Sequence, residues 1–408
     1  MQGPRSTSPS NIRAASRLLR NNGTGQFVDD TYRVGLFIEG GWMGLAFADY
    51  DCNGRMDFFS SNLGSYLGAG SILAESGWWM QGTNGRWTFT VGQLVRTPFG
   101  WGASPFDYDN DGDTDTIFHG GGDNLFQTSA DNPGPVLQNP GLCTADFVWD
   151  QEAASDTDHR FRNTEGVAVG DLNGDGFDDI TSVAAMKWPN TFFVFPYVGF
   201  VVGPSTSPFD PVALLQLNYS VVPNPGFRTW VAPLPEEGDL VVEVNTADNG
   251  NGFVQFDTIG SAGIVEEGTI NRDGVGAILQ FTPDGGLTAL RTQVAGSSYA
   301  SQDGSTIGFG LGTATQGTVD VLWPGGFRNR LHEVQAGERI TLPAIPCSFD
   351  AEWKNFGQYN RCVNRALKDY RDAGVITRKE LRRLRASALE AYNFLQEQAA
   401  LLELAAAE

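Results

Sequence analysis

The rhythm of apolar and polar positions divides this chain into three stretches. In the first, Leu19-Arg20-Asn21-Asn22-Gly23-Thr24-Gly25-Gln26-Phe27-Val28 predicts strand, tight turn and strand. Trp79-Met80-Gln81-Gly82-Thr83-Asn84-Gly85-Arg86-Trp87-Thr88-Phe89 repeats that shape, and Asn124-Leu125-Phe126-Gln127 echoes it more faintly. Phe58-Phe59, Thr116-Ile117-Phe118 and Ile180-Thr181-Ser182-Val183 are aromatic and β-branched, which predicts further strands. From residue 251 to 343 apolar positions alternate with polar ones in Ala277-Ile278-Leu279-Gln280-Phe281, Thr318-Val319-Asp320-Val321-Leu322 and Arg339-Ile340-Thr341-Leu342. That period of two, broken by Gly-rich turns, predicts a compact, sandwich-like β domain.

The pattern changes again after Pro346. Residues 353–372 and 377–407 are poor in Gly and Pro and rich in Ala, Leu, Arg and Glu, so two helices are predicted, parted at Asp372-Ala373-Gly374. Thr377-Arg378-Lys379-Glu380 is a capping box opening the second. Leu381, Leu384, Ala388, Tyr392 (or Ala391), Leu395 and Leu402 form one apolar face. It packs on the chain's own β domains or docks on a partner subunit. Arg378, Lys379, Arg382, Arg383 and Arg385 make a basic face, either solvated or set against an acidic neighbour.

Three acidic loops organise the first stretch. Asp107-Tyr108-Asp109-Asn110-Asp111-Gly112-Asp113-Thr114-Asp115 places oxygen ligands at positions 1, 3, 5 and 9 and glycine at 6. Carboxylates this close repel one another unless a hard cation sits between them, and glycine permits the bend that turns them inward. Two relatives keep the frame, Asp49-Tyr50-Asp51-Cys52-Asn53-Gly54-Arg55-Met56-Asp57 and Asp171-Leu172-Asn173-Gly174-Asp175-Gly176-Phe177-Asp178-Asp179. Each begins five residues after a glycine (Gly44, Gly102, Gly166), so the loops mark an internal repeat of about sixty residues. An EF-hand needs a bidentate Glu at position 12, where Ser60, Phe118 and Ser182 stand here, and a helix after the loop, where strand residues stand. The predicted ligands of about three Ca2+ ions are therefore Asp49, Asp51, Asn53 and Asp57; Asp107, Asp109, Asp111 and Asp115; and Asp171, Asn173, Asp175 and Asp179. The backbone carbonyls of Arg55, Asp113 and Phe177 complete the sets.

Four short strands in a repeat of that length is the pattern of a propeller blade, in which each sheet buries its faces against its neighbours. Residues 20–250 supply about four such units. The ring is small, or it is incomplete and another chain or a removed N-terminal part completes it.

A resemblance sharpens this. Trp42-Met43-Gly44-Leu45-Ala46-Phe47-Ala48-Asp49-Tyr50-Asp51 and Gly100-Trp101-Gly102-Ala103-Ser104-Pro105-Phe106-Asp107-Tyr108-Asp109 resemble the FG-GAP/VCBS repeats of integrin-type propellers. Asn271-Arg272-Asp273-Gly274-Val275-Gly276-Ala277, Ser298-Tyr299-Ala300-Ser301-Gln302, Phe309-Gly310-Leu311-Gly312 and Val321-Leu322-Trp323-Pro324-Gly325-Gly326 resemble, in order, the ASPIC/UnbV domain that follows such repeats in cartilage acidic protein and in bacterial secreted relatives. The expected fold is mainly β: propeller blades over 1–250, an ASPIC/UnbV-like β domain over 251–345 and an α-helical hairpin over 346–408. Relatives usually carry about seven blades, more than are found here.

Composition narrows the function. Forty-eight acidic against 27 basic residues give a net charge of -21, which argues against nucleic acid and anionic membranes as partners. The three loops alone hold ten aspartates at ligand positions. No apolar run is long enough to span a membrane; the longest, near 191–202, is broken by Pro196 and Gly199. The first thirty residues hold no hydrophobic signal core, so a leader removed from the chain, or a start inside a longer precursor, is expected. Calcium loops of ordinary affinity suit an extracellular or cell-surface location. Of the four cysteines, Cys347 and Cys362 suit a local disulfide in an oxidising compartment, while Cys52 and Cys143 pair only if neighbouring blades bring them together.

Enzymatic chemistry finds little support. His119-Gly120-Gly121-Gly122 has no nucleophile elbow to accompany it, and the clustered aspartates that could serve glycoside hydrolysis are already calcium ligands. Trp78 and Trp79 are the candidates for stacking on a sugar; other tryptophans, such as Trp42 and Trp101, repeat as packing positions. The expected function is a non-enzymatic calcium-binding adhesion or scaffold protein that meets another chain or copies of itself, through connections at 60–80, 120–160 and 200–235. A carbohydrate-binding propeller with a glycan ligand is the alternative, and a secreted hydrolase a distant one.

Overall fold

The computed structural model describes residues 14–62, 75–92, 94, 97–121, 132–141, 143, 145–150, 153, 159, 162–187, 220–224, 227–231 and 236–407. The chain is mainly β, with several antiparallel sheets and a C-terminal pair of helices.

The first sheet is a meander of Leu45–Ala48, Asp57–Ser60, Gly77–Gln81 and Trp87–Thr90, each strand beside the next. A second repeats it with Ala103–Phe106, Asp115–Phe118, Val136–Gln138 and Val148–Asp150. The third pairs Arg162–Gly170 with Asp179–Lys187, whose other edge takes Leu240–Glu243 and Glu236–Glu237. In each sheet the acidic loop is the turn between the first two strands, as its strand-like flanks predict. Leading strands of successive sheets lie against one another.

Side-chain size explains that close approach. Ala46, Ala48 and Ala103 in the leading strands are fully buried, and their small volume admits Tyr50, Phe59, Trp78, Phe118 and Phe147 from the neighbouring sheets. Phe106, Ile117, Val136, Val167 and Val169 fill the space between the second and third sheets. Interiors packed this way tolerate little change of volume.

Residues 252–343 form two facing sheets, one of Thr306–Gly312, Gly252–Ile259 and Arg339–Pro343, the other of Ala289–Thr292, Ile278–Pro283, Gln316–Leu322 and Arg328–Gln335. Phe256, Phe281 and Phe309 meet between them with ring centroids 5.6 to 6.1 Å apart. The helices, Phe356–Asp372 and Arg378–Ala407, continue this core: Tyr359, Val363, Leu367, Tyr370, Leu384, Ala388 and Ala391 are buried in it. The apolar helical face therefore packs on the chain's own β domain. Tyr370 Oη donates to the Ala344 carbonyl at 2.9 Å, and the Ser387 hydroxyl accepts from the His332 amide at 2.6 Å.

Both helix starts have local causes. Asn355 Oδ1 accepts from the Gln358 amide at 3.0 Å, which delays the first helix to residue 356. At the second, the Glu380 amide donates to Thr377 Oγ1 at 3.2 Å and the Thr377 amide to Glu380 Oε2 at 2.6 Å, closing the capping box. Of the basic face, Arg383 pairs with Glu338 of the adjoining sheet at 2.7 Å.

Candidate metal centres and their coupling to the C-terminal domain

Position 9 of each acidic loop is a carboxylate that also ties its sheet together. Asp57 Oδ1 accepts from the Gln81 amide at 2.6 Å, Asp115 Oδ1 from Asn139 at 2.8 Å and Asp179 Oδ1 from Asn245 at 2.8 Å. In each case the donor sits at or just beyond the end of the third strand. Position 6 is equally constrained: Gly54, Gly112 and Gly176 have φ of 78°, 101° and 92°, in the left-handed region that favours glycine.

The first two loops gather their carboxylates. One oxygen each from Asp49, Asp51 and Asp57 lie within 4.8 Å of one another, as do oxygens from Asp107, Asp109 and Asp115. Burial pushes the carboxyl of Asp49 up to about 6, that of Asp57 up to about 7 and that of Asp107 up to about 8. Asp115 is driven well above the ordinary carboxylate range by burial and then by repulsion from Asp113 and Asp107. Among the described residues, Asp107 Oδ1 and Asp115 Oδ2 are buried without a hydrogen-bond partner. Two buried carboxyl oxygens without donors, in an all-oxygen set, fit a hard cation of the calcium kind, which would hold these groups ionised.

Other predicted ligands fall differently. Asn53 is exposed, and its Nδ2 donates to Asp51 Oδ2 at 2.9 Å; Arg55 is half-buried. Asp111 is exposed and stands outside the second trio. Asp113, predicted to offer only its carbonyl, also buries a carboxyl pushed up to about 9 by burial and its acidic neighbours, with neither oxygen hydrogen-bonded among the described residues. The third loop is the most open, and no carboxylate trio forms there among the described residues. Asp171 accepts from the amides of Gly174 and Gly176 and from Gln255 Nε2 at 2.8 Å, Asp175 Oδ2 accepts from Asn173 Nδ2, and Phe177 is half-buried.

The C-terminal domain grips these loops directly. Asp107 Oδ2 accepts from the Gly310 amide at 3.0 Å, and the Gly312 amide donates to the Asn110 carbonyl at 2.9 Å. Arg291 donates to Thr114 Oγ1, and the Phe253 ring lies against Gly176. A nearby segment crosses all three leading strands. Ser298 pairs with Leu45, Asp303 accepts from Ser104 Oγ at 2.8 Å and from the Val169 amide at 3.0 Å, and the Gly304 amide donates to the Val169 carbonyl at 2.8 Å.

Residues 268–346 match the family model described as ASPIC and UnbV. No curated protein matches the chain. Within the matched region, the words singled out in the sequence have distinct jobs. Asn271 Oδ1 accepts from the Val275 amide at 2.8 Å and shapes a turn whose Gly274, at φ 69°, lets Trp323 pack closely. Residues 298–304 and 309–312, together with Arg291, are among the parts of the matched region that touch the acidic-loop sheets.

Two sequence expectations are corrected or moved. Trp78 and Trp79 are 0% and 1% exposed, so neither is available to a sugar. Trp78 stacks on Phe147 with centroids 3.8 Å apart, and Trp79 Nε1 donates to Ser60 Oγ at 3.0 Å. Of the connections 60–80, 120–160 and 200–235, residues 63–74, 122–131 and 200–219 lie outside the described residues, as does the echo at 124–127, and the side chain of Leu402 is among those not described.

Both disulfides are formed. Cys347 joins Cys362 locally, and Cys52 of the first loop joins Cys143 beyond the third strand of the second sheet, across 91 residues. Sequence spacing carried no signal for the second bond, because only the side-by-side packing of the sheets brings its halves together. Asn139 and Asn245 were also missed; a lone asparagine one or two residues past a short strand is too common a signal to single out.

Proposed function

We propose that this chain is a calcium-stabilised β-propeller-type scaffold of the FG-GAP/VCBS kind, acting outside the cell in adhesion or surface assembly rather than as an enzyme. The observation that carries the proposal is the second acidic loop, where the carboxyls of Asp107, Asp109 and Asp115 converge, Asp107 and Asp115 each bury an oxygen without a donor, and Asp107 also holds Gly310 of the ASPIC/UnbV region. An ion there would neutralise the cluster and fasten two parts of the fold at once. Asp107, Asp109 and Asp115 would hold it in the second loop, and Asp49, Asp51 and Asp57 in the first.

Three further features support a scaffold. The meander sheets with adjacent leading strands follow the arrangement of propeller blades. Two disulfides suit an oxidising compartment, and no helix among the described residues is long and apolar enough to cross a membrane. Val183, Leu240 and Val242 of the third sheet are 51% to 64% exposed, which suits a further sheet from another chain or a second copy.

Calorimetric titration of chelator-stripped protein with Ca2+, with melting temperature and solution mass followed in parallel, tests this. Saturable binding of two to three ions with a raised melting temperature is the expected result. Absence of saturable binding by folded protein overturns the calcium reading, and a mass of one chain under all conditions overturns assembly with copies of itself.

A further inference from the structure

A second kind of metal chemistry is offered by residues that belong to none of the acidic loops. His119 follows the second strand of the second sheet, Glu243 ends the Leu240–Glu243 strand of the third, and His159 comes from the segment between these sheets. One ligand atom from each of the three lies within 4.8 Å of the other two. The imidazoles are 0% and 1% exposed, with ring centroids 4.3 Å apart. His159 Nε2 is 3.2 Å from Glu243 Oε1.

The arrangement is built, not incidental. His119 is pinned by its backbone, donating its amide to the Gly102 carbonyl at 2.9 Å and accepting from the Trp101 amide at 2.7 Å. Gly134, at φ 75°, stands where any side chain would run into both rings: a Cβ there would lie 2.7 Å from His119 Nε2 and 3.0 Å from His159 Cδ2. A cavity of about 350 Å³ is bordered by Gly134, Tyr108, Asp150 and, of the three cluster residues, Glu243, so it opens on the carboxylate side.

Histidine in a core ordinarily gives each ring N–H an acceptor. Here neither nitrogen of His119, nor Nδ1 of His159, has a hydrogen-bond partner among the described residues. A buried donor left without an acceptor costs about 1–3 kcal/mol, and His119 carries that deficit whichever nitrogen bears its proton, while His159, whose Nε2 can donate to Glu243, is left with the lone pair of Nδ1 unused. Imidazole nitrogens facing a carboxylate are the donor set of zinc and related first-row divalent ions, whereas calcium takes oxygen. All four cysteines are in disulfides, so sulfur takes no part.

We infer that His119, His159 and Glu243 form a binding site for a first-row transition-metal dication, zinc foremost, which bridges the second and third sheets and is chemically separate from the calcium loops. Two nitrogens and one carboxylate leave a fourth position for water or another ligand from the cavity.

The test uses the full chain with disulfides intact, stripped of metal and loaded with excess Ca2+ to fill the acidic loops, then titrated with Co2+ as a spectroscopic stand-in for Zn2+. Expected is one Co2+ per chain, with visible ligand-field absorption lacking thiolate charge transfer, displaced by Zn2+ and not by Ca2+. Glu243→Gln is expected to weaken Co2+ binding at least about tenfold and shift the spectrum, while His332→Gln leaves both unchanged. His119→Gln with His159→Gln, checked by far-UV circular dichroism, abolishes the site. If the paired variant fails to fold, X-ray absorption at the cobalt edge of the wild-type protein decides, by finding or not finding two imidazoles. No stoichiometric Co2+ binding by folded wild-type protein, or binding that Glu243→Gln leaves unaltered, overturns the inference.

Discussion

Asn245 donates its side-chain amide to the backbone carbonyl of Tyr108 at 2.7 Å, and Asn139 makes the same bond to Tyr50 at 2.9 Å. In both, an asparagine just past the third strand of one sheet reaches position 2 of the preceding acidic loop. Its own amide meanwhile donates to position 9 of its own loop, Asp179 or Asp115. Each asparagine thus staples two consecutive repeats. Asn139→Ala and Asn245→Ala should each lower unfolding stability by about 1–3 kcal/mol, read from urea midpoints, because a carbonyl between packed sheets loses its donor.

Removing the proposed calcium ion should matter most at the second loop. Asp115→Asn keeps the shape and a hydrogen bond to the Asn139 amide but removes charge from the buried trio, so the calcium-dependent rise in melting temperature should shrink. A ligand at a hundred times its dissociation constant stabilises by about 2.7 kcal/mol, which sets the scale of the loss. Thermal scans of wild type and variant, with and without chelator, measure it.

Acid should stabilise the calcium-free protein. The carboxyls of Asp49, Asp57 and Asp107 rise on folding to about 6, 7 and 8, chiefly through burial. The unfolded chain titrates near the ordinary carboxylate value, so the folded state binds more protons across this range. Stability is fully present below about pH 4 for these groups and is lost as pH rises through 6 to 8. Urea midpoints with chelator should therefore fall between pH 5 and pH 8. Saturating calcium, which binds the ionised form, should flatten or reverse that slope.

Gly310 should couple the two halves of the molecule. A Cβ at this position would run into Asp107 Oδ2 and the Asn110 backbone. Gly310→Ala should cost about 1–3 kcal/mol through overpacking and weaken calcium binding at the second loop. Gly308→Ala, where no neighbouring atom lies within 4 Å of the added carbon, is the control and should leave both unchanged.

Reducing the inter-sheet disulfide should cost more than reducing the local one. In the chain-entropy picture the 91-residue separation of Cys52 and Cys143 corresponds to about 4–5 kcal/mol, against about 3 kcal/mol for the 15 residues between Cys347 and Cys362. Paired Cys→Ser variants compared by chemical denaturation give the two losses separately.

Local signals carried much of the architecture. The glycine at position 6, the carboxylates on alternate residues and the β-branched run after each loop act within ten residues. They were enough to specify a turn between two strands and to bring Asp49 to Asp51 and Asp107 to Asp109. The helix boundaries were equally local, since Asn355 and Thr377 satisfy the first free amides of their own helices. Failures have a common cause. Trp78 and Trp79 looked unassigned because the residues that bury them, Phe147 and Ser60 among others, are set against them only by sheet packing.

By itself, then, the sequence determined the strand-loop-strand repeat, the β domain and the capped helical pair, because each is encoded by neighbours in the chain. Tertiary structure alone decided which loops converge their carboxylates, and which instead spend them on hydrogen bonds, as Asp171 does with Gln255. It also brought Cys52 to Cys143 and His119 to His159 and Glu243. The reason is physical: these groups come from separate sheets, and the distance between them is set by how alanine-lined leading strands and aromatic side chains pack, not by any spacing along the chain.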